Sequence, residues 1–171
     1  SNAVGFGIVA FGAGWALAAE VWSLKQCALS SIPYVLLMAA GSISSTLPDI
    51  SGDRCGGKMT TAVVFGERRA HILALVFMGL ALLSAVLQHD PIALLCAGIP
   101  VPLYLAHLVR PGRMTREATY KVGGAAVTLI ASFLLPWLFP VAATIFALTW
   151  IYFRVRHRVS YPSLIPVDHA S

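Results

Sequence analysis

The chain has 171 residues, 58% of them apolar and 11% charged, with a mean hydropathy of +0.79. Soluble domains carry about 25% charged residues, so this composition excludes an ordinary cytosolic globule, a disordered tail and a nucleic-acid-binding domain. The basic excess, 12 Lys and Arg against 7 Asp and Glu, fits cationic loops on one side of a bilayer better than a polyanion partner.

Six apolar stretches follow one another, over residues 4–19, 29–47, 70–87, 92–109, 118–135 and 138–153. Each approaches the ~20 residues that a helix needs to cross a hydrocarbon core. The expected fold is therefore all-α, a polytopic transmembrane helix bundle of about six spans over 1–153, followed by a basic tail over 154–171. Pro136 and Pro140 leave two options for the last pair, a tight external turn or a kink in one long helix. In the first stretch Gly5, Gly7, Gly12 and Gly14 recur at a spacing of seven and predict close helix packing.

The cations test this count. Arg54, Lys58, Arg68 and Arg69 fall between the second and third stretches. Arg110, Arg113, Arg116 and Lys121 fall around the start of the fifth, and Arg154, Arg156 and Arg158 follow the sixth. Only Lys25 lies in an alternate connection, so eleven of the twelve share one side, which the positive-inside rule makes cytoplasmic together with both chain ends. The expected location is a cell membrane. Ser1-Asn2-Ala3 is expected to be a cut or a tag scar, and the chain a piece of a longer one. Cys27, Cys55 and Cys96 are scattered and form no C-x-x-C pair.

One loop carries chemistry, the segment from Thr46 to Gly66 that follows the second stretch. Asp49 and Asp53 are four residues apart and share a face on a helical turn primed by Pro48, about 6 Å apart at Cβ. Two bare carboxylates at that distance repel by roughly 2–3 kcal/mol at an effective dielectric near 20, so the pair calls for a cation. Mg²⁺ fits, since it takes one or two carboxylates and completes its shell with water and phosphate oxygens. Gly52, Gly56 and Gly57 free the backbone for close approach, and Arg54 and Lys58 suit a diphosphate. On spacing alone a charged, solvated loop remains the alternative. A P-loop is excluded because Met59 follows Lys58 where Ser or Thr is needed. An EF-hand is excluded because Cys55 and Gly57 fall on ligand positions.

The loop resembles the second aspartate motif of the UbiA superfamily of intramembrane prenyltransferases, D-x-x-G-D-x-x-x-G-x-x-T. Asp49, Gly52, Asp53, Gly57 and Thr60 fill its five fixed places. The segment from Arg116 to Lys121 is similar to the start of the family's last conserved helix. The resemblance implies a UbiA-like fold lacking its N-terminal helices, since members have about nine helices and an earlier aspartate-rich motif, and no aspartate precedes Asp49 here. A second departure is Met59, where members often have a cation.

What the resemblance implies is a Mg²⁺-dependent transfer of an isoprenyl group from a prenyl diphosphate to an aromatic or other lipophilic acceptor. Asp49 and Asp53 would be the catalytic metal ligands, with Lys58 and Arg54 as weaker diphosphate contacts. The missing N-terminal helices would be needed for a complete site, so the chain by itself is expected to be inactive. The opposing class is a non-catalytic or partner-dependent multi-span membrane protein with a transport or assembly role. His71 and His107 are expected to be packed or interfacial, and the Trp and Tyr residues near stretch ends, Tyr104 and Tyr120 among them, to form an aromatic belt, with ring faces that line a carbocation channel as the alternative.

Overall fold

The computed structural model describes residues 3–21, 23–158 and 161, and among them every regular element is helical. A π-helical segment, Ala3–Ala10, runs into α1 (Phe11–Ala18). Then come α2 (Leu24–Thr46), the short α3 (Ile50–Cys55) and α4 (Thr61–Phe65), and the long α5 (Glu67–Leu87). α6 (Pro91–Gly98) and α7 (Val101–Val109) are separated by a turn at Ile99-Pro100, and α8 (Arg113–Leu134) and α9 (Leu138–His157) complete the order. Proline removes an amide donor and crowds the preceding turn, which accounts for the break at Pro100 and for the end of α8 before Pro136. The last two stretches are thus two helices joined by a short turn.

Four helices are long and apolar enough to cross a membrane: Leu24–Thr46, Glu67–Leu87, Pro91–Val109 (α6 with α7) and Leu138–His157. Such a set marks a membrane protein. The count is lower than the six stretches because the apolar part of the first, Gly7–Ala18, is shorter, and because α8 begins at Arg113 and carries Arg116, Glu117 and Lys121 through its first half. α9 runs through Arg154 and Arg156 to His157. Of the tail over 154–171, residues 159–160 and 162–171 lie outside the described residues.

α2 and α5 form the most extensive contact. Among the buried positions of α2 are Pro33, Leu37, Ala40 and Ser44, continued by Leu47; among those of α5 are Ala70, Ala74, Met78, Ala81 and Ala85. Both series advance by three or four residues, so each makes one face, and small side chains let two backbones approach closely in lipid. Of the glycines in the first segment, Gly7 is the one that packs: a Cβ there would sit 2.8 Å from Val35 Cα, whereas Gly5, Gly12 and Gly14 meet nothing within 4 Å.

The bundle has two unlike polar ends. At one, Asp90 caps α6 by accepting from Ile92 and Ala93 amides at 3.0 Å, and it accepts from the Tyr34 hydroxyl of α2 at 2.8 Å. At the other lie the end of α2, the starts of α5 and α8, the end of α7 and the aspartate loop.

Candidate functional site

α2 gives way to a turn at Leu47-Pro48-Asp49, and α3 follows for a turn and a half. The Asp53 amide donates to the Asp49 carbonyl at 2.8 Å, which sets the two carboxylates one helical turn apart. Asp49 occupies the position before α3 yet its side chain makes no capping bond, and it is exposed. The Asp53 side chain is 11% exposed and pairs with Lys58 at 3.5 Å. Arg54 is exposed on α3.

Two of the motif's remaining residues serve the backbone. Gly57 has φ +70°, and the amides of Gly57 and Lys58 reach back to the carbonyls of Arg54 (3.3 Å) and Asp53 (2.8 Å). This is the left-handed helix stop that glycine adopts without strain. Thr60 then caps α4, its hydroxyl accepting from the Val63 amide at 3.3 Å. The loop is held by these two stops, and the carboxylates are left to other work.

Behind the loop, a cavity of about 330 Å³ opens between α2, α5, α6, α7 and α8. Along α2 its wall runs from Ser45 through Ser42 and Gly41 to Met38 and Leu37; along α8 it runs from Thr119 and Tyr120 through Gly123 and Gly124 to Val127. At 1.5 Å per residue each wall extends ~12 Å. Hydroxyl-bearing side chains gather at one end and Leu37, Met38, Met78, Cys96 and Val127 at the other. Asp49 follows Ser45, the last lining residue of α2, by four residues, so the aspartate loop continues from the hydroxyl-bearing end of the cavity. The chain matches no family model, no curated protein and no solved structure.

As a donor set, Asp49 and Asp53 suit a hard divalent cation such as Mg²⁺: both offer carboxylate oxygens, and Asp49 has no competing cap bond. They supply part of a shell, because among the described residues no group of three or more His, Cys, Asp and Glu side chains gathers.

A second polar cluster locks the same end of the bundle. The Ser44 hydroxyl donates to the Tyr104 hydroxyl at 2.8 Å, and His71 Nε2–H donates to the Tyr104 carbonyl at 2.9 Å. A carbonyl only accepts, so this bond fixes the proton of neutral His71 on Nε2. Its Nδ1 is buried with no partner. His71 meets the His107 ring edge-on, with centroids 4.5 Å apart, and His107 Nδ1 lies 2.8 Å from the Thr115 hydroxyl. Arg116 Nε reaches Glu67 at 3.1 Å, a contact of charge rather than a directed hydrogen bond.

Next along α8, Glu117 takes hydrogen bonds from Arg113 (3.0 Å) and Lys121 (2.7 Å). Burial works against its charge, but those bonds and the two cations outweigh it and hold its carboxyl below the usual carboxylate range.

His71 and His107 are packed, at 2% and 3% exposure. The aromatic-belt expectation fails for Tyr104, which is fully buried against His71, and for Tyr120, which lines the cavity. A ring whose hydroxyl has a buried partner can sit in a core. Trp137 and Trp150 are exposed, and Trp22 lies outside the described residues. Of the cavity wall, sequence reasoning reached Tyr104 and Tyr120, as the alternative to a belt, and missed the rest. The signal available for it was two glycines, Gly41 and Gly124, inside otherwise regular helical stretches.

Proposed function

We propose that this chain is the C-terminal part of a Mg²⁺-dependent membrane prenyltransferase that moves an isoprenyl group from a prenyl diphosphate to an aromatic or other lipophilic acceptor. The observation that carries this reading is the pair Asp49 and Asp53, one helical turn apart just beyond the hydroxyl-bearing end of a cavity whose other end is apolar. A ligand with an anionic head and a long apolar tail fits that gradient. Asp49 and Asp53 hold the metal, with Lys58 and Arg54 at hand for the diphosphate, on the cytoplasmic side of the bilayer. When bound, Mg²⁺ neutralises charge on the diphosphate. The apolar walls keep water from the allylic carbon.

The test uses the complete natural protein with whatever helices precede this chain. Asp49→Asn and Asp53→Asn should each lower Mg²⁺-dependent diphosphate release by about 100-fold or more while expression is unchanged. Wild-type release in both variants overturns the metal assignment. A second, non-catalytic reading draws support from the ion pair between Asp53 and Lys58, since a carboxylate neutralised by an ammonium needs no metal. It predicts that Asp53→Asn lowers the melting temperature and that no prenyl diphosphate is turned over by the wild type.

A further inference from the structure

We infer that α4 with its flanks, Met59 on one side and Arg68 and Arg69 on the other, forms a surface patch that binds anionic lipid headgroups. The inference does not depend on the prenyl diphosphate reading. α4 lies outside the spanning helices: it has five residues, and Gly66, at φ +79° and ψ +162°, separates it from α5. Ala62 is fully buried, and α4 touches α2 and α5. It therefore sits against the bundle at the level where α5 begins, with Glu67 next after Gly66. Met59, Val64 and Phe65 are nonetheless 81%, 54% and 53% exposed. Such side chains gain nothing from water, whereas in the boundary between headgroups and acyl chains they are buried.

The cations of the same stretch select the kind of lipid. Arg68 and Arg69 are exposed in the first turn of α5, where the positive end of the helix dipole disfavours a cation. The carboxylate of that turn, Glu67, is taken by Arg116 at 3.1 Å, and among the described residues no ion pair holds Arg68 or Arg69. Two guanidinium groups at the unfavourable end of a helix, next to apolar side chains at the start of a span, match the phosphates of an anionic leaflet. The positive-inside rule makes that leaflet the cytoplasmic one. The patch is tied to the aspartate turn, since the Lys58 amide donates to the Asp53 carbonyl at 2.8 Å and Thr60 caps α4.

The experiment is hydrogen exchange at the amides of Val63 to Gly66 in the complete protein, held in nanodiscs of phosphatidylcholine alone or with about 30% phosphatidylglycerol. The wild-type amides should exchange about fivefold or more slowly in the anionic discs, because each engaged arginine favours the bound state by about that factor. About 0.5 M NaCl, which shortens the Debye length, should shrink the difference to below about twofold. So should the double variant Arg68→Gln/Arg69→Gln, which should match the wild type in phosphatidylcholine discs. Equal exchange of the wild type in the two membranes overturns the inference and needs no variant to do so. Strong protection in both membranes also overturns it, since a protein segment then covers α4. A lipid difference that persists in the double variant removes the arginines from the patch and overturns it as well.

Discussion

α5 and α9 are nearly equal in length, 21 and 20 residues, and both are apolar enough to span a bilayer. Six side chains of α5 are buried, and none of α9. The difference lies in partners. α5 sets Ala70, Ala74, Ala81 and Ala85 along one face and α2 meets that face, while α9, which also carries small residues four apart at Ala143 and Ala147, touches α8 without burying them. Lipid is as apolar as leucine, so an apolar helix gains little by leaving it unless its backbone can come close to another. Small residues permit such an approach in both helices, and α5 is the one that a facing helix takes up.

That contrast breaks most sharply at Ala74, which is fully buried. Ala74→Leu should destabilise the protein by about 1–3 kcal/mol through overpacking, read as a fall in melting temperature in detergent. Gly7→Ala should act the same way and nearly as strongly, since the Val35 backbone, not a flexible side chain, stands in the way. If either substitution is silent, the first segment and α5 do not pack on α2 as described.

Tyr104→Phe tests the polar lock with a smaller expected loss, about 1 kcal/mol, because the Ser44 hydroxyl is left without its buried partner. Glu117 sharpens the picture through pH. Its carboxyl is held below the unfolded value, so its contribution is fully present above the unfolded pKa of about 4.3 and is lost as pH falls through the lower, folded one. Acid titration of melting temperature should show that loss in the wild type, and Glu117→Gln should flatten it. Smallest of all, Leu148→Ala on α9 should change stability by less than about 0.5 kcal/mol. A large effect there would mean that α9 packs on protein.

The aspartate loop shows how a motif divides its labour. Asp49, Gly52, Asp53, Gly57 and Thr60 stand together in sequence as one pattern. In space, Gly57 ends α3 and Thr60 begins α4, while the two carboxylates take no part in these backbone turns. Sequence logic found the helical turn that pairs them, because i and i+4 share a face whatever surrounds them. It had no access to the cavity that brings Tyr120 of α8 together with Ser42 and Ser45 of α2, since nothing local sets those helices side by side. The ion pair between Asp53 and Lys58 was within reach, being a contact across the helix stop at Gly57.

By itself the sequence determined the helical class, the membrane character and the spacing of the carboxylates. Each follows from composition or from neighbours within a turn or two along the chain. Tertiary structure decided which apolar faces meet, that Tyr104 belongs to the core, that the charged first half of α8 joins the lock at Glu67, and that a cavity lies behind the aspartates. Those depend on backbone separations between helices. In a chain apolar on nearly every face, these are set by side-chain size at contact, to which hydropathy is blind.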